Sequence, residues 1–339
     1  MSTLILMATY NGASFVDQQI ASIIAQTEPG WTLLVSDDGS SDATRERLER
    51  WSRSEARIEL MDDDGPGLGP SRNFARLMER ARARKEPYIA FCDQDDTWQP
   101  DKLERQLAEV RRIEDVRGTG CPVLVHSDLE VVDDGLGTIH RSLARLQMIN
   151  YPADTPPSML ISQNHVVGCT VLINRALLDL ACPVPEGIYM HDWWLALCAS
   201  AAGVRSYLPQ SLVRYRQHSD NHVGAQGVAR RLRNPSHWPA WIRKMNYLYH
   251  AVFIQADCLR QRLGAAQVSR PDLTVDADWL RQIDVLLELS ERPRGLRPWA
   301  LACMGLRRQN SVMTGLFYLQ SLALSSGGRQ QDGPADMDG

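Results

Sequence analysis

The residues best suited to chemistry stand in a row, Asp93-Gln94-Asp95-Asp96, directly after the apolar run Tyr88–Cys92. Carboxylates this close repel one another unless cations or hydrogen-bond donors compensate them. Hard oxygen ligands suit Mg2+ or Mn2+, and Mg2+ is usually held by one or two carboxylates together with phosphate oxygens. A solvated acidic patch is the other reading, but a run that opens where a buried strand ends points to a cation. Asp95 leads as ligand, and Asp93 and Asp96 are not ranked against each other.

A second acidic turn, Asp37-Asp38-Gly39-Ser40-Ser41-Asp42, follows the run Thr32–Ser36. Either its Asp or Ser caps the next helix in a tight turn, or the Asp38 carboxylate accepts hydrogen bonds from a nucleobase or ribose. The turn before it, Thr9-Tyr10-Asn11-Gly12, lacks Gly-x-Gly-x-x-Gly, and no Gly-x-x-x-x-Gly-Lys-Ser/Thr loop occurs anywhere. The two commonest nucleotide-binding loops are therefore excluded.

Such turns need a frame. Apolar runs alternate with amphipathic segments up to Pro122, the pattern of β-α-β units around a parallel sheet. The spacing predicts strands at Thr3–Ala8, Thr32–Ser36, Ile58–Met61 and Tyr88–Cys92, and helices at Phe15–Gln26, Asp42–Trp51, Asn73–Arg84 and Asp101–Ile113. Ligands of open α/β sheets bind at the carboxyl ends of strands, where these turns fall. Beyond Pro122, strands are expected at Val123–Ser127, Val166–Ile173 and Arg205–Tyr215, with a helix at His191–Ala202. From 226 the chain reads as helical, at Trp238–Leu263, Asp278–Leu289 and Trp299–Leu324, and the Gly-, Gln- and Asp-rich tail 325–339 as disordered.

Hydrophobic residues make up 44% and charged residues 23% of the chain, ordinary values for a folded globular protein. Seven cysteines without a Cys-x-x-Cys pair argue against a disulfide framework or a structural zinc site and suit a reducing compartment. There is no basic secretory leader, and no apolar run reaches the ~20 residues a membrane span needs. These features predict a cytoplasmic protein. Charge is uneven: residues 1–202 carry 19 basic against 30 acidic residues, and residues 203–339 carry 18 against 11. A basic second half suits an anionic membrane surface or a polyanion, or is simply a set of solvated helix faces.

Taken in order, Ala8-Thr9-Tyr10-Asn11-Gly12, Asp37-Asp38-Gly39-Ser40-Ser41-Asp42, Gly69-Pro70-Ser71-Arg72-Asn73 and Asp93-Gln94-Asp95 resemble the family 2 glycosyltransferases of the GT-A fold. Three later segments extend the resemblance to about residue 224: Asn164-His165-Val166-Val167-Gly168-Cys169-Thr170, Met190-His191-Asp192-Trp193-Trp194 and Arg216-Gln217-His218-Ser219-Asp220-Asn221. The last two are most similar to a rhamnosyltransferase-like branch that uses dTDP-L-rhamnose.

The resemblance implies an α/β GT-A fold, a Rossmann-like, mostly parallel sheet flanked by helices, with a helical C-terminal extension. It divides the chain into a catalytic domain at 1–224 (nucleotide-sugar half 1–121, acceptor half 122–224) and a helical region at 225–324. It implies an inverting, metal-dependent transfer of a sugar from a dTDP- or UDP-sugar to a hydroxyl of a saccharide or lipid-linked saccharide, in bacterial surface polysaccharide synthesis. Thr9, Tyr10, Asn11, Asp38, Arg72 and Asp93 would bind the nucleotide, and Asp95, Asp93, Asp96 and His218 the Mg2+ or Mn2+. Asp192 would be the general base, with Trp193, Trp194, Gly168 and Cys169 on the acceptor side.

Plainer readings stand beside these: Asp192 as a helix cap, His218 as a surface loop histidine, the tryptophans as core, and Cys92 and Cys169 as small buried apolar residues. Because adjacent helical residues lie 100° apart, the two tryptophans are not both expected to face the core. The basic C-terminal helices, with Trp238, Trp241, Trp299 and the run Val312–Leu324, are expected on the inner membrane surface, on the catalytic domain or on a second copy in a homodimer. Nucleic acid is not an expected partner. A nucleotide-sugar pyrophosphorylase would need a Gly-rich, basic loop after the first strand, which Thr9-Tyr10-Asn11-Gly12 is not. Two alternatives remain: another donor such as a UDP-hexose, or a non-catalytic carbohydrate-binding or scaffold relative.

Overall fold

A computed structural model describes residues 2–62, 67–149, 155–218, 238–289, 292–308 and 311–323. The expected boundary near 224 and the tail 325–339 lie outside the described residues, as do Ser219, Asp220 and Asn221 and the side chains of Trp238, Trp241, Val312 and Met313.

The sheet is built around β1 (Thr3–Thr9). Leu4 and Leu6 point into one apolar cluster and Ile5 and Met7 into the other, so both faces are covered, as a central parallel strand requires. It pairs in parallel with β2 (Trp31–Asp37) and β4 (Tyr88–Cys92), and β3 (Ile58–Leu60) lies outside β2. Register matters for the site. Thr9 lies beside Asp37, and Met7 beside both Val35 and Cys92. The turn after β1, the second acidic turn and the run 93–96 therefore emerge on one edge. Helices α1 (Val16–Ile24), α2 (Thr44–Ser54), α3 (Pro70–Arg82) and α4 (Lys102–Arg117) fall where the apolar spacing placed them.

The second half of the sheet is mixed. β5 (Thr97–Trp98) follows the acidic run, β6 (Val123–Val132) carries the short β7 (Thr138–His140), and β8 (Leu172–Asn174) runs antiparallel between β4 and β6. The last strand, β9 (Val204–Arg216), is parallel to β6 and antiparallel to β5, with Arg214 opposite Thr97. Chain end and acidic run thereby meet.

Three expectations change. The segment 166–173 is not one strand: Gly168–Thr170 forms a 3-10 turn, and the Asn164 amide bonds both N–H and C=O of Val166 in place of a ladder. Short helices α5 (Leu143–Leu146), α6 (Pro157–Ser162) and α7 (Arg175–Ala181) were not foreseen. The last predicted helix is two, α11 (Arg297–Cys303) and α12 (Ser311–Ala323); Gly305, at φ 66, supplies the left-handed stop that ends the first.

Helix α8 (His191–Ala202) is buried on all sides, between the sheet and the helices that follow. Of these, α9 (Trp238–Ser269) and α10 (Ala277–Glu288) contribute Tyr249, Phe253, Trp279 and Ile283 to the same apolar cluster as Leu4, Phe74 and Trp193. The C-terminal helices thus share the core of the sheet. Among the described residues no helix is long and apolar enough to cross a membrane.

Candidate active site

The acidic run sorts its carboxylates by depth. Asp93 and Asp95 are half-buried at the strand-end edge, whereas Asp96 is fully buried behind them. Oδ2 of Asp95 lies 2.9 Å from Nε2 of His218. Oδ1 of Asp96 accepts the Arg216 backbone N–H at 3.1 Å, and its Oδ2 is buried without an N–H or O–H donor. Ligand atoms of Asp93, Asp96 and Cys169 all lie within 4.8 Å of one another. Burial, then the charges of Asp95 and Asp192, push Asp93 up to about 7. Burial, then Asp95 and Asp93, raise Asp96 well above the carboxylate range.

Two buried cations stand by this turn. Arg216 donates from Nε to the Asp95 carbonyl at 2.8 Å, and Lys102 rests 3.8 Å over the Trp98 ring while bonding Gln106. Burial pulls Lys102 down to about 8. Carboxylates therefore outnumber the cations beside them. A divalent cation on Asp95, Asp93 and the imidazole fits this surplus, since like charges of suppressed ionisation are what a bound cation relieves.

On the nucleotide side the turns brace one another. Thr9 is buried with its hydroxyl donating to Asp37 at 2.7 Å, so it shapes the turn and offers no free hydroxyl to a ligand. Asn11, at φ 48, accepts Ser41 N–H on its side-chain oxygen and donates its backbone N–H to Ser40 Oγ. Tyr10 has its backbone N–H and C=O clamped by the Gln94 amide at 2.9 and 2.8 Å, leaving the ring 52% exposed. The two Asp38 oxygens accept Leu68 and Gly69 N–H at 2.8 and 2.7 Å, which fixes the loop before α3. Arg72, exposed in the first turn of that helix, stands close enough to oppose the rise that burial gives the Tyr247 phenol. Asp42 Oδ1 accepts Thr44 N–H at 2.9 Å just ahead of α2, whose N-cap residue, Ala43, makes no side-chain cap.

Asp192 lies at the start of α8, where Oδ1 accepts Trp193 N–H at 2.6 Å and the Asn164 amide at 3.0 Å. Burial pushes it up to about 7, against the N–H groups of Trp193 and Gly168 and the Asn164 amide. Gly168 and Cys169 are both buried: the first meets Asp192, and the second turns its thiol to Asp96. Cys169 is thus packed against the acidic run, with no exposed surface to offer a sugar. His191 is packed against Phe74 and Phe91, which burial keeps neutral by pulling it down to about 3.

The acceptor-floor expectation for Trp193 and Trp194 is corrected. They are 2% and 0% exposed, and their indole N–H groups bond the carbonyls of Leu160 and Ala181. Both face the core because α8 has no solvent side for either to occupy. Sequence reasoning also missed Gln94, Asn164 and Arg216 as parts of the site. Each lay inside a quoted segment, but its role rests on contacts between segments that spacing does not show.

Comparison with known proteins places this geometry. Residues 4–163 match the description of glycosyl transferase family 2. The chain is 38% identical over 176 residues to WfgD of Escherichia coli, a UDP-Glc:alpha-D-GlcNAc-diphosphoundecaprenol beta-1,3-glucosyltransferase, covering 52% of this chain and 61% of that protein. Against the dTDP-rhamnosyl transferase RfbG of Shigella flexneri it is 26% identical over 228 residues, 65% of this chain and 74% of the relative. A shorter match, 35% identical, spans 30% of this chain and 39% of TuaG of Bacillus subtilis, named for teichuronic acid biosynthesis.

Among solved structures, S. aureus TarS 1-349 in complex with UDP-GlcNAc superposes with a TM-score of 0.54 at 14% identity, over 95% of this chain and 91% of that one. The mannosyltransferase PcManGT from Pyrobaculum calidifontis, in complex with GDP-Man and Mn2+, gives 0.52 at 15%, over 89% and 72%. The chain thus carries a glycosyl transferase family 2 match across its N-terminal region, residues 4–163, and shares the GT-A fold of these structures.

Proposed function

We propose that the protein is an inverting, metal-dependent glycosyltransferase that moves a sugar from a nucleoside diphosphate donor to a saccharide hydroxyl. The observation that carries this reading is the meeting of Asp95 with His218, 123 residues away, with Asp192 close enough for its charge to reach Asp93. Asp95 and His218, with Asp93 and Asp96 around them, would hold Mg2+ or Mn2+, which supplies stabilisation of the negative charge on the departing diphosphate.

The remaining roles fall to this chain's own groups. The nucleotide lies across the ends of β1 and β2, with the exposed Tyr10 ring, Asn11 and Asp38 as its nearest contacts. Arg72 adds a positive contact for the phosphates. Asp192 takes the proton of the acceptor hydroxyl as that oxygen attacks the anomeric carbon, and its raised pKa suits a base working near neutrality. A single displacement inverts the anomeric configuration.

The donor we favour is dTDP-L-rhamnose, on the residue pattern around Asp192 and His218 and on the likeness to RfbG. A UDP-hexose is the second reading, favoured by the higher identity to WfgD. The acceptor we favour is a lipid-linked saccharide of surface polysaccharide synthesis, reached by the protein from the cytoplasmic face of the membrane. In support, 292–323 carries arginines and no carboxylate, and Leu296, Trp299 and Leu319 are exposed there. Screening a panel of dTDP- and UDP-sugars for Mn2+-dependent hydrolysis tests the donor: turnover of dTDP-rhamnose alone supports the first reading, and turnover of a UDP-hexose alone the second. Sedimentation with anionic vesicles, with and without residues 295–339, tests the surface. A dimer that buries α12 (Ser311–Ala323) and leaves the vesicles behind contradicts it.

A further inference from the structure

Phe15 precedes α1 and reads in the sequence as an ordinary apolar helix start, yet it is not in either core cluster. Its ring stacks on the His218 imidazole, with centroids 4.8 Å apart and planes 30° from parallel. The Arg216 guanidinium carbon lies 4.7 Å over the same ring. Arg216 is in turn fixed from several sides: Nε to the Asp95 carbonyl, Nη1 to the Asp134 carbonyl and Nη2 to Gln18 Oε1 in α1. Its backbone N–H goes to Asp96. One aromatic ring thus bears on two residues of the last strand segment, and both of these touch the acidic run.

An imidazole reaching a carboxylate through one nitrogen still turns about its Cβ bond, and stacking on a fixed ring removes that freedom. Metal-binding histidines depend on neighbours of this kind to hold the ring in its ligating orientation. From this we infer that Phe15 is a positioning residue: its ring, pinned by the buried Arg216, holds His218 against Asp95 and so sets the affinity of the donor-diphosphate cation site. This role rests on the cation reading given above.

The test is titration of Mn2+ in the presence of UDP, read by the electron paramagnetic resonance signal of free Mn2+, on the full chain. Phe15→Leu, which keeps the apolar volume without the ring, should weaken Mn2+ about tenfold, within the range that such supporting groups contribute. Phe15→Tyr should bind as the unchanged protein does. In a His218→Ala background, Phe15→Leu should add nothing further, because its effect passes through the imidazole. Equal weakening by Phe15→Leu with and without His218 overturns the inference and leaves the cation site standing. So does unchanged affinity in Phe15→Leu while His218→Ala loses it. Unchanged affinity in His218→Ala removes His218 from the cation, and this inference with it.

Discussion

His218 Nε2 stands 2.9 Å from Asp95 Oδ2 across 123 residues of chain. The contact exists because β9 runs antiparallel to β5, the two-residue strand that leaves the acidic run, so the end of one faces the start of the other. A carboxylate and an imidazole nitrogen at this distance are placed to share one ligand.

His218→Ala should therefore weaken Mn2+ about 10- to 100-fold, and lower transfer at sub-saturating Mn2+ more than at saturation. Transfer rate against Mn2+ concentration is the measurement. An unaltered half-saturation point would show that the pair is a structural hydrogen bond.

Asp192→Asn should lower turnover at least ~100-fold, in the range of general-base loss. Its stability should move the other way. The folded pKa is raised from 3.8 to about 7, so the contribution of Asp192 to stability is full below its unfolded value and is lost as pH rises through 7. Asn carries no such charge. In EDTA, the stability of the variant relative to the parent should rise by on the order of 2 kcal/mol between pH 5 and pH 8. Urea denaturation at both pH values checks this, and a gap that stays flat or narrows argues that the fold does not raise the Asp192 pKa.

Gly12→Ala probes the clamp between the first turn and the acidic run. A Cβ there would meet Gln94 Oε1 at 2.1 Å, so Gln94 must leave its two bonds to Tyr10. Gln94→Ala removes the same bonds without the clash and should cost ~1–3 kcal/mol of stability. Both variants should raise the Kd for UDP, measured calorimetrically. Unchanged affinity in both would mean that the two turns need no mutual brace.

Trp194→Phe should lower stability and leave the acceptor KM unchanged, because the indole is wholly buried with its N–H on Ala181. Trp194→Ala should cost ~3–5 kcal/mol. A rise in acceptor KM for Trp194→Phe without loss of stability would restore the tryptophan to the sugar site.

Much of the frame was legible in the chain. Leu4 to Met7 alternate between two faces that are both buried, and the apolar spacing of α3 is met by Phe74, Leu77, Met78 and Ala81. The turns that carry Asp38 and Asp95 lie on one edge, as strand ends in an open sheet must. What stayed hidden depends on contacts between distant segments. Nothing near Trp193 and Trp194 announces that α8 is enclosed on every side, so their 100° separation alone predicts that one of them is exposed. Phe15 and Arg216 draw their roles from β9 returning beside β5, which no local pattern encodes. Segment 166–173 looked like a strand because its residues are apolar, but the Asn164 side chain takes the bonds a neighbouring strand would have made.

Calorimetric titration of UDP and dTDP into the protein, with Mn2+ and then with EDTA, repeated on Asp95→Ala, tests the central claim most directly. The predicted result is nucleotide binding that needs Mn2+ and is lost in Asp95→Ala while the fold, followed by circular dichroism, is kept. Equal binding in EDTA by both proteins would contradict it.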